Sequence, residues 1–332
     1  METLILNNNI ENITRAAGII RAGGLVVFPT ETVYGLGANA LDRTAACKIY
    51  EAKGRPSDNP LIIHLADIND AEKYSYTCDL YYKFASKFMP GALTIILPKR
   101  DCIPNEVTGG LNTVALRVPS HSIANALIKA AEVPIAAPSV NLSGKPSPTT
   151  IKHVIDDMNG RVNAIIDGGD STIGLESTII KIDGDKVTLL RPGGITYEEL
   201  LSVYENIAVS DAITGKFNGV PDAPGMKYRH YAPDAKVYLV DADDTAFYEF
   251  VNRSIDSGVL CYDEDMLHIS NKNTLSLGHR YNYDEQAHNL FKCLREFKDV
   301  EVIYARMPER DGLGLALFNR LIKAAGFEVI KL

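Results

Sequence analysis

Residues 133–149, Val-Pro-Ile-Ala-Ala-Pro-Ser-Val-Asn-Leu-Ser-Gly-Lys-Pro-Ser-Pro-Thr, leave this chain few choices. The apolar start is short, so it predicts a buried strand from Val133 to Ala137. The prolines, serines, asparagine and glycine behind it predict a rigid polar loop. Ser, Asn and exposed backbone N–H groups bind phosphate oxygens without adding a large charge. A second segment, Lys53-Gly-Arg55-Pro-Ser-Asp-Asn59-Pro, has the same grammar with two cations added. Two such loops in one chain suggest a nucleotide held between them.

At 332 residues the chain is long for one domain, and two are expected. We read residues 1–210 as the first domain, 211–234 as a linker and 235–332 as a small second domain. A net charge of -8 argues against broad adhesion to nucleic acid or anionic membrane, so no strong direct nucleic-acid binding is expected. The five cysteines form no C-x-x-C pair, and their spacing suits neither a zinc site nor a disulfide framework. The N-terminal residues lack a basic, then apolar, signal segment, and no apolar run is long enough to span a bilayer. The expected location is the cytoplasm.

The first two-thirds alternate strand-like and helix-like segments. Residues 24–28 read as a strand, 29–37 as the loop after it, and 44–52 as a helix. Strands follow at 61–65, 93–97, 113–118 and 133–137, with helices at 80–88 and 122–131. Thr149 is placed to cap a helix running to about Met158. Asp183-Gly184-Asp185 reads as a hairpin turn between two strands. Residues 211–234 are rich in Gly and Pro but also carry Lys227, Arg229, His230 and Tyr231. The tail resumes a strand–helix alternation, which predicts a mostly parallel, Rossmann-like sheet.

Several residues suit chemistry. Lys53 and Arg55 have the bland reading of cations at a helix C-terminus, weakened by the stiff polar loop that follows. His64 lies in an apolar strand and alone reads as a core histidine. Arg117, in Val-Ala-Leu-Arg-Val, needs a partner because an unpaired buried charge is costly. That partner is either a structural carboxylate or the carboxylate of a small substrate. Thr30 and Thr32 lie just past a strand end, where open α/β sheets place ligands. No Walker loop, G-x-S-x-G elbow or H-E-x-x-H run occurs, so a nucleotide site here is not of the P-loop kind.

Taken in order, Phe28-Pro-Thr-Glu-Thr-Val-Tyr-Gly-Leu, Lys53-Gly-Arg-Pro, Ser139-Val-Asn-Leu-Ser-Gly, Gly174-Leu-Glu-Ser-Thr-Ile and Leu190-Arg-Pro-Gly resemble the YrdC-like family. The stretch Pro224-Gly-Met-Lys-Tyr-Arg-His-Tyr-Ala-Pro and the tail resemble its two-domain form. The resemblance implies an α/β fold: a twisted open mixed sheet with helices, then a linker and a small Rossmann-like domain. It implies synthesis of L-threonylcarbamoyl-AMP from L-threonine, bicarbonate and ATP, with release of pyrophosphate. The product would feed proteins that transfer the threonylcarbamoyl group to tRNA. The family's catalytic set falls on Lys53, Arg55, Ser139 and Asn141. Its nucleotide contacts fall on Arg55, Asn59, Thr113, Ser139, Ser147, Arg191, His230 and Tyr231. Its threonine contacts fall on Thr32, His64, Arg117, Ala137 and Ser177. Magnesium is expected to travel with the nucleotide, without a protein cage.

A labile carbamate intermediate favours a closing site, and residues 223–233 are read as a lid over it. Two other functions compete. One is a carbamoyl-adenylating enzyme using carbamoyl phosphate, which the absence of zinc-finger cysteines and of an acylphosphatase-like extension disfavours. The other is a non-catalytic RNA-binding module, which the net charge and the lack of a basic, aromatic-interleaved stripe disfavour.

Overall fold

The computed structural model describes residues 2–332 other than 214, 216–229 and 255. Two sheets organise them. The first has eleven strands in the spatial order Leu4–Leu6, Ala164–Ile166, Val26–Phe28, Gly35–Asn39, Ile135–Ala137, Ile62–His64, Thr113–Arg117, Leu93–Pro98, Thr178–Asp183, Lys186–Arg191, Ile207–Val209. Parallel and antiparallel pairs mix along it. Ile62–His64 runs parallel to Thr113–Arg117 but antiparallel to Ile135–Ala137. The mixed sheet is the one expected from the sequence. The second sheet has five strands, Thr274–Ser276, Gly258–Cys261, Val302–Arg306, Lys236–Asp241 and Val329–Lys331, and every pairing in it is parallel.

Local chemistry explains most boundaries. Asp42 caps helix Arg43–Lys53 by accepting from the Thr44 and Ala45 N–H groups, and Gly54 ends it in the left-handed region at φ 62°. This stop is common because glycine has no Cβ to clash there. Hairpin Thr178–Asp183/Lys186–Arg191 turns at Gly184, φ 57°, as Asp-Gly-Asp predicts.

Three expectations need correction. The loop after the first central strand ends at Tyr34, because Gly35–Asn39 is itself a strand, paired antiparallel with Val26–Phe28 and with Ile135–Ala137. Its two glycines, which read as loop, are there because Gly35 and Gly37 lie against the Phe28 ring. The helix to Met158 is capped by Thr150, whose hydroxyl accepts from the His153 N–H, while Thr149 precedes the cap. The strand Leu4–Leu6, the helix Ile10–Arg21 and the strands Ile207–Val209 and Thr274–Ser276 were absent from the reading. The three strands are only three residues long, and the helix Ile10–Arg21 carries its polar residues interleaved with the apolar ones.

The second domain does not hang free. Val33 and Leu175 of the first sheet's loops share one buried apolar cluster with Leu290, Phe291, Leu294 and Leu317. Gly174, at φ 81°, lets the two backbones meet: a Cβ there would lie 2.5 Å from the Ala287 carbonyl oxygen. Arg295 reaches back with a 2.6 Å ion pair to Asp157 and donates to the Pro146 carbonyl. The second domain thus rests on the loop that follows Ile135–Ala137.

Candidate active site

The loops that leave the first sheet near its middle converge on one cavity. It is a cleft partly open to solvent, lined by polar and apolar groups together, the mix that small-molecule sites use. One wall is the 138–148 loop. It is stitched to the 34–36 segment by Leu36 N–H to Pro138 O, 3.0 Å, and Val140 N–H to Tyr34 O, 2.9 Å. Within it Ser139 Oγ donates to Asn141 Oδ1 at 2.6 Å, and Asn141 Nδ2 donates to the Leu142 and Lys145 carbonyls, both 2.9 Å.

Lys53 sits behind this loop at 2% exposure. Its ammonium donates to the carbonyls of Ser139 and Asn141. Burial, then the neighbouring Arg55, pushes its pKa well down. Lys53 therefore holds the phosphate-type loop in shape first, and has one N–H left for a ligand. Arg55 is fixed by Asn59 and Pro60 carbonyls at 3.1–3.3 Å. Burial lowers it to about 10, so it stays a cation at neutral pH.

At the other end Arg117 emerges from its strand, 4% exposed. Nε donates to Gly91 O, 3.2 Å, Nη1 to Thr32 Oγ1, 3.0 Å, and Nη2 to Glu31 Oε1, 2.7 Å. The structural carboxylate left open by the sequence is Glu31. Burial pushes its carboxyl up, but the Arg117 charge and hydrogen bond outweigh this and leave it below the ordinary value. Of the five guanidinium N–H groups these three bonds use three, so a substrate carboxylate can still be received. Thr30 Oγ1 and Thr32 Oγ1 lie 2.8 Å apart beside it. His64, from the strand next to Arg117, has its pKa brought down to about 3 by burial and then by the Arg117 charge. The ring is neutral, with Nδ1 3.2 Å from the Ile62 carbonyl.

Between the two ends lie Ser177 and Arg191. Arg191 donates to the Ser177 carbonyl through Nε, 3.1 Å, and Nη2, 2.9 Å, and Ser177 Oγ is 2.8 Å from Thr94 Oγ1. Ala137 contributes to the floor, and His230 and Tyr231 close one side. Both are buried, at 8% and 5% exposure, with Tyr231 stacked on Phe291 at 5.3 Å. Of the expected lid, residues 223–229, including Lys227 and Arg229, lie outside the described residues.

Thirteen of the residues singled out by sequence thus line one cavity: Lys53, Arg55, Ser139, Asn141, Arg191, His230, Tyr231, Thr30, Thr32, His64, Arg117, Ala137 and Ser177. Asn59, Thr113 and Ser147 do not reach its wall. Asn59 is buried behind Arg55, and Ser147 is fully buried, donating to Glu176 Oε1 at 2.7 Å. Thr113 pairs with Pro98 at the far end of its strand. Sequence reasoning gave no role to Glu31 or Glu176, although both stand inside quoted motifs. The signal was available: each buried guanidinium demands a carboxylate. Tyr34 and Ser143 also line the cavity and were overlooked.

Comparison with known proteins follows this geometry. A family model described as "Telomere recombination", the Sua5/YciO/YrdC model, matches residues 18–193. A second, described as "Threonylcarbamoyl-AMP synthase, C-terminal domain", matches residues 195–326. The chain belongs to the Sua5/YrdC family. It is 46% identical to the threonylcarbamoyl-AMP synthase of Pyrococcus abyssi, over 99% of each chain. It is 45% identical to the Bacillus subtilis protein of the same name, over 98% of this chain and 96% of that one. The crystal structure of P. abyssi Sua5 complexed with L-threonine superposes with a TM-score of 0.93, at 45% identity and full coverage of both chains. This likeness covers both domains of the Sua5 architecture. Among the described residues no helix is long and apolar enough to cross a membrane.

Proposed function

We propose that the protein is an L-threonylcarbamoyladenylate synthase, a nucleotidyltransferase. It condenses L-threonine, bicarbonate or CO2, and ATP to threonylcarbamoyl-AMP and pyrophosphate. The supporting observation is a single cavity with a carboxylate anchor, Arg117, at one end, the cation Arg55 at the other and Arg191 between them. The full-length likeness to enzymes named threonylcarbamoyl-AMP synthase supports the same reading.

In this reading Arg117 receives the threonine carboxylate on its two remaining N–H groups. Thr32, neutral His64 and Ser177 supply polar contacts around the amino acid, with Ala137 beneath it. The threonine amine adds CO2 and loses a proton, giving a carbamate. A carbamate oxygen attacks the α-phosphorus, and pyrophosphate leaves with the bonding electrons. Arg55, Arg191 and the remaining Lys53 N–H stabilise the departing charge. Ser139 and Asn141 orient the phosphates. No strong acid or base is required, so rate comes from positioning and electrostatic stabilisation.

Among the described residues no group of three or more His, Cys, Asp or Glu side chains could hold a metal. Both Glu176 oxygens are occupied by Ser147 and Arg320. Mg2+ in this reading would travel on the ATP phosphates and neutralise charge there. The product would be taken up by proteins that transfer the threonylcarbamoyl group to tRNA.

The test is incorporation of labelled bicarbonate. With ATP and threonine, label is expected in a product that also contains AMP and threonine. Label transfer from carbamoyl phosphate instead, with none from bicarbonate, would favour the carbamoyl-phosphate enzyme.

A further inference from the structure

The family's chemistry is read as lying in the first domain, yet among the described residues the largest fully buried side chain belongs to the second. Arg320, on helix Gly314–Ala324, is wholly buried. Its Nε donates to Glu176 Oε2 at 2.8 Å, across 144 residues of sequence. Glu176 faces the cavity immediately before Ser177. The Arg320 guanidinium also lies 5.3 Å from the Tyr231 ring centroid. Tyr231 is in turn hydrogen-bonded to Arg191, which holds Ser177. A closed circuit results: Glu176, Arg320, Tyr231, Arg191, Ser177 and back to Glu176 through the chain. Four of its five members touch the cavity, and Arg320 is the one behind it.

Each contact has a physical consequence. Burial raises the Glu176 carboxyl, but the charges of Arg320 and Arg191 overcome this and keep it ionised. Left without Arg320, that buried carboxylate would face the phosphates of ATP. The planar guanidinium, 5.3 Å from the ring centroid, helps to fix Tyr231, and Phe291 stacks on the same ring. Asn319 anchors the same helix turn by donating to the Ile213 carbonyl at 2.7 Å. The helix is therefore tied to Ile213, which is buried in the first domain's core.

We propose that Arg320 is a positioning residue for the nucleotide end of the cavity: it places Tyr231 and neutralises Glu176, so that the second domain sets the affinity for ATP. This rests on the function proposed above and adds to it a reason for the second domain.

The test uses the full chain in two assays, equilibrium binding of a fluorescent ATP analogue and threonine-dependent pyrophosphate release. Arg320→Met alone orphans a buried carboxylate and is expected to destabilise the fold. The double variant Arg320→Met/Glu176→Gln removes that charge and is expected to melt close to wild type. It should still bind the analogue, and show a KM for ATP, about tenfold more weakly, since the cation–π contact ordering Tyr231 is gone. Its kcat at saturating ATP should stay within about threefold, and its KM for threonine likewise. Arg320→Lys, which keeps charge but not the planar face, should fall between, at about threefold. Wild-type affinity for the analogue in the double variant would overturn the proposal and leave a merely structural ion pair. So would an equal loss for threonine and ATP. Should the wild-type chain bind the analogue yet release no pyrophosphate, the proposed function fails, while the affinities still decide the role of Arg320.

Discussion

Both sheets gather arginines and carboxylates beyond their strand ends, but they spend them differently. In the second domain Arg306, Arg280, Asp244 and Asp265 meet at the carboxyl ends of the parallel strands. An open parallel sheet ordinarily binds ligands there. Asp265, wholly buried, accepts from Arg280 at 2.8 Å, Tyr248 at 2.9 Å and the Tyr262 N–H at 3.0 Å. These groups bond chiefly to one another, and Arg280 Nε, which has no partner, is shut away from solvent. In the first domain Arg117 and Lys53 are fixed by protein partners but keep N–H groups to spare beside a cavity. The difference teaches that an arginine–carboxylate pair marks a site only where its spare N–H groups face a cavity.

The strongest challenge to this contrast is Arg117→Ala. Losing one partner of a buried charge pair should lower threonine-dependent kcat/KM by about a hundred- to a thousandfold. The affinity for an ATP analogue should change little, because the cations that serve phosphate lie at the other end. Equal loss of both ligands, measured by calorimetry, would mean the cavity has no separate ends.

Arg306→Met probes the opposite side. Breaking the network around buried Asp265 should cost about 3 kcal/mol in urea unfolding. The activity per folded molecule should stay within about twofold of wild type. A larger activity loss would show that the second domain's crevice is functional after all.

A smaller effect comes from pH. His64 has a folded pKa of about 3, set by burial and Arg117, against about 6.5 when unfolded. A depressed histidine means the unfolded chain binds more protons below that value, so stability is full above pH 6.5 and lost as pH falls towards 3. From pH 7.5 to 5 this one group should remove about 2 kcal/mol. His230, also pushed well down by burial and then by Arg55, adds in the same direction. His64→Asn should flatten the slope; an unchanged slope would show that the ring is not held neutral.

Least affected is the choice between threonine and serine. Ala137 and Ile62 give the cavity floor an apolar wall, and one methyl against such a wall discriminates by about ten- to a hundredfold. Discrimination far beyond a thousandfold in kcat/KM would require a polar contact not described here.

How far the sequence led can be traced in particular residues. Strands at Ile62–His64 and Ile135–Ala137 were legible because short apolar runs bounded by Pro leave no other element. Eight of the thirteen cavity residues were legible because they stand in five motifs that fall in order along the chain, and His230 and Tyr231 stand in the linker stretch; His64 and Arg117 stood out as polar residues in apolar strands, and Ala137 came from the resemblance alone. Gly35 and Gly37 were misread, since a glycine packed beneath Phe28 looks like a loop glycine until the sheet is seen. Asn59 and Ser147 were expected as nucleotide contacts through the resemblance, and nothing in the sequence marks them as lying one layer behind Arg55 and Glu176. Arg320 was not legible at all: nothing local distinguishes it from a solvent-facing arginine of an amphipathic helix, and its partner is 144 residues away.

The most direct test of the central claim is the yield of pyrophosphate from ATP and bicarbonate, with and without threonine, in the wild-type chain. The account requires release that depends on threonine, with one threonylcarbamoyl-AMP formed per pyrophosphate. Release at the same rate without threonine would contradict it, because the cavity would then not join the two substrates.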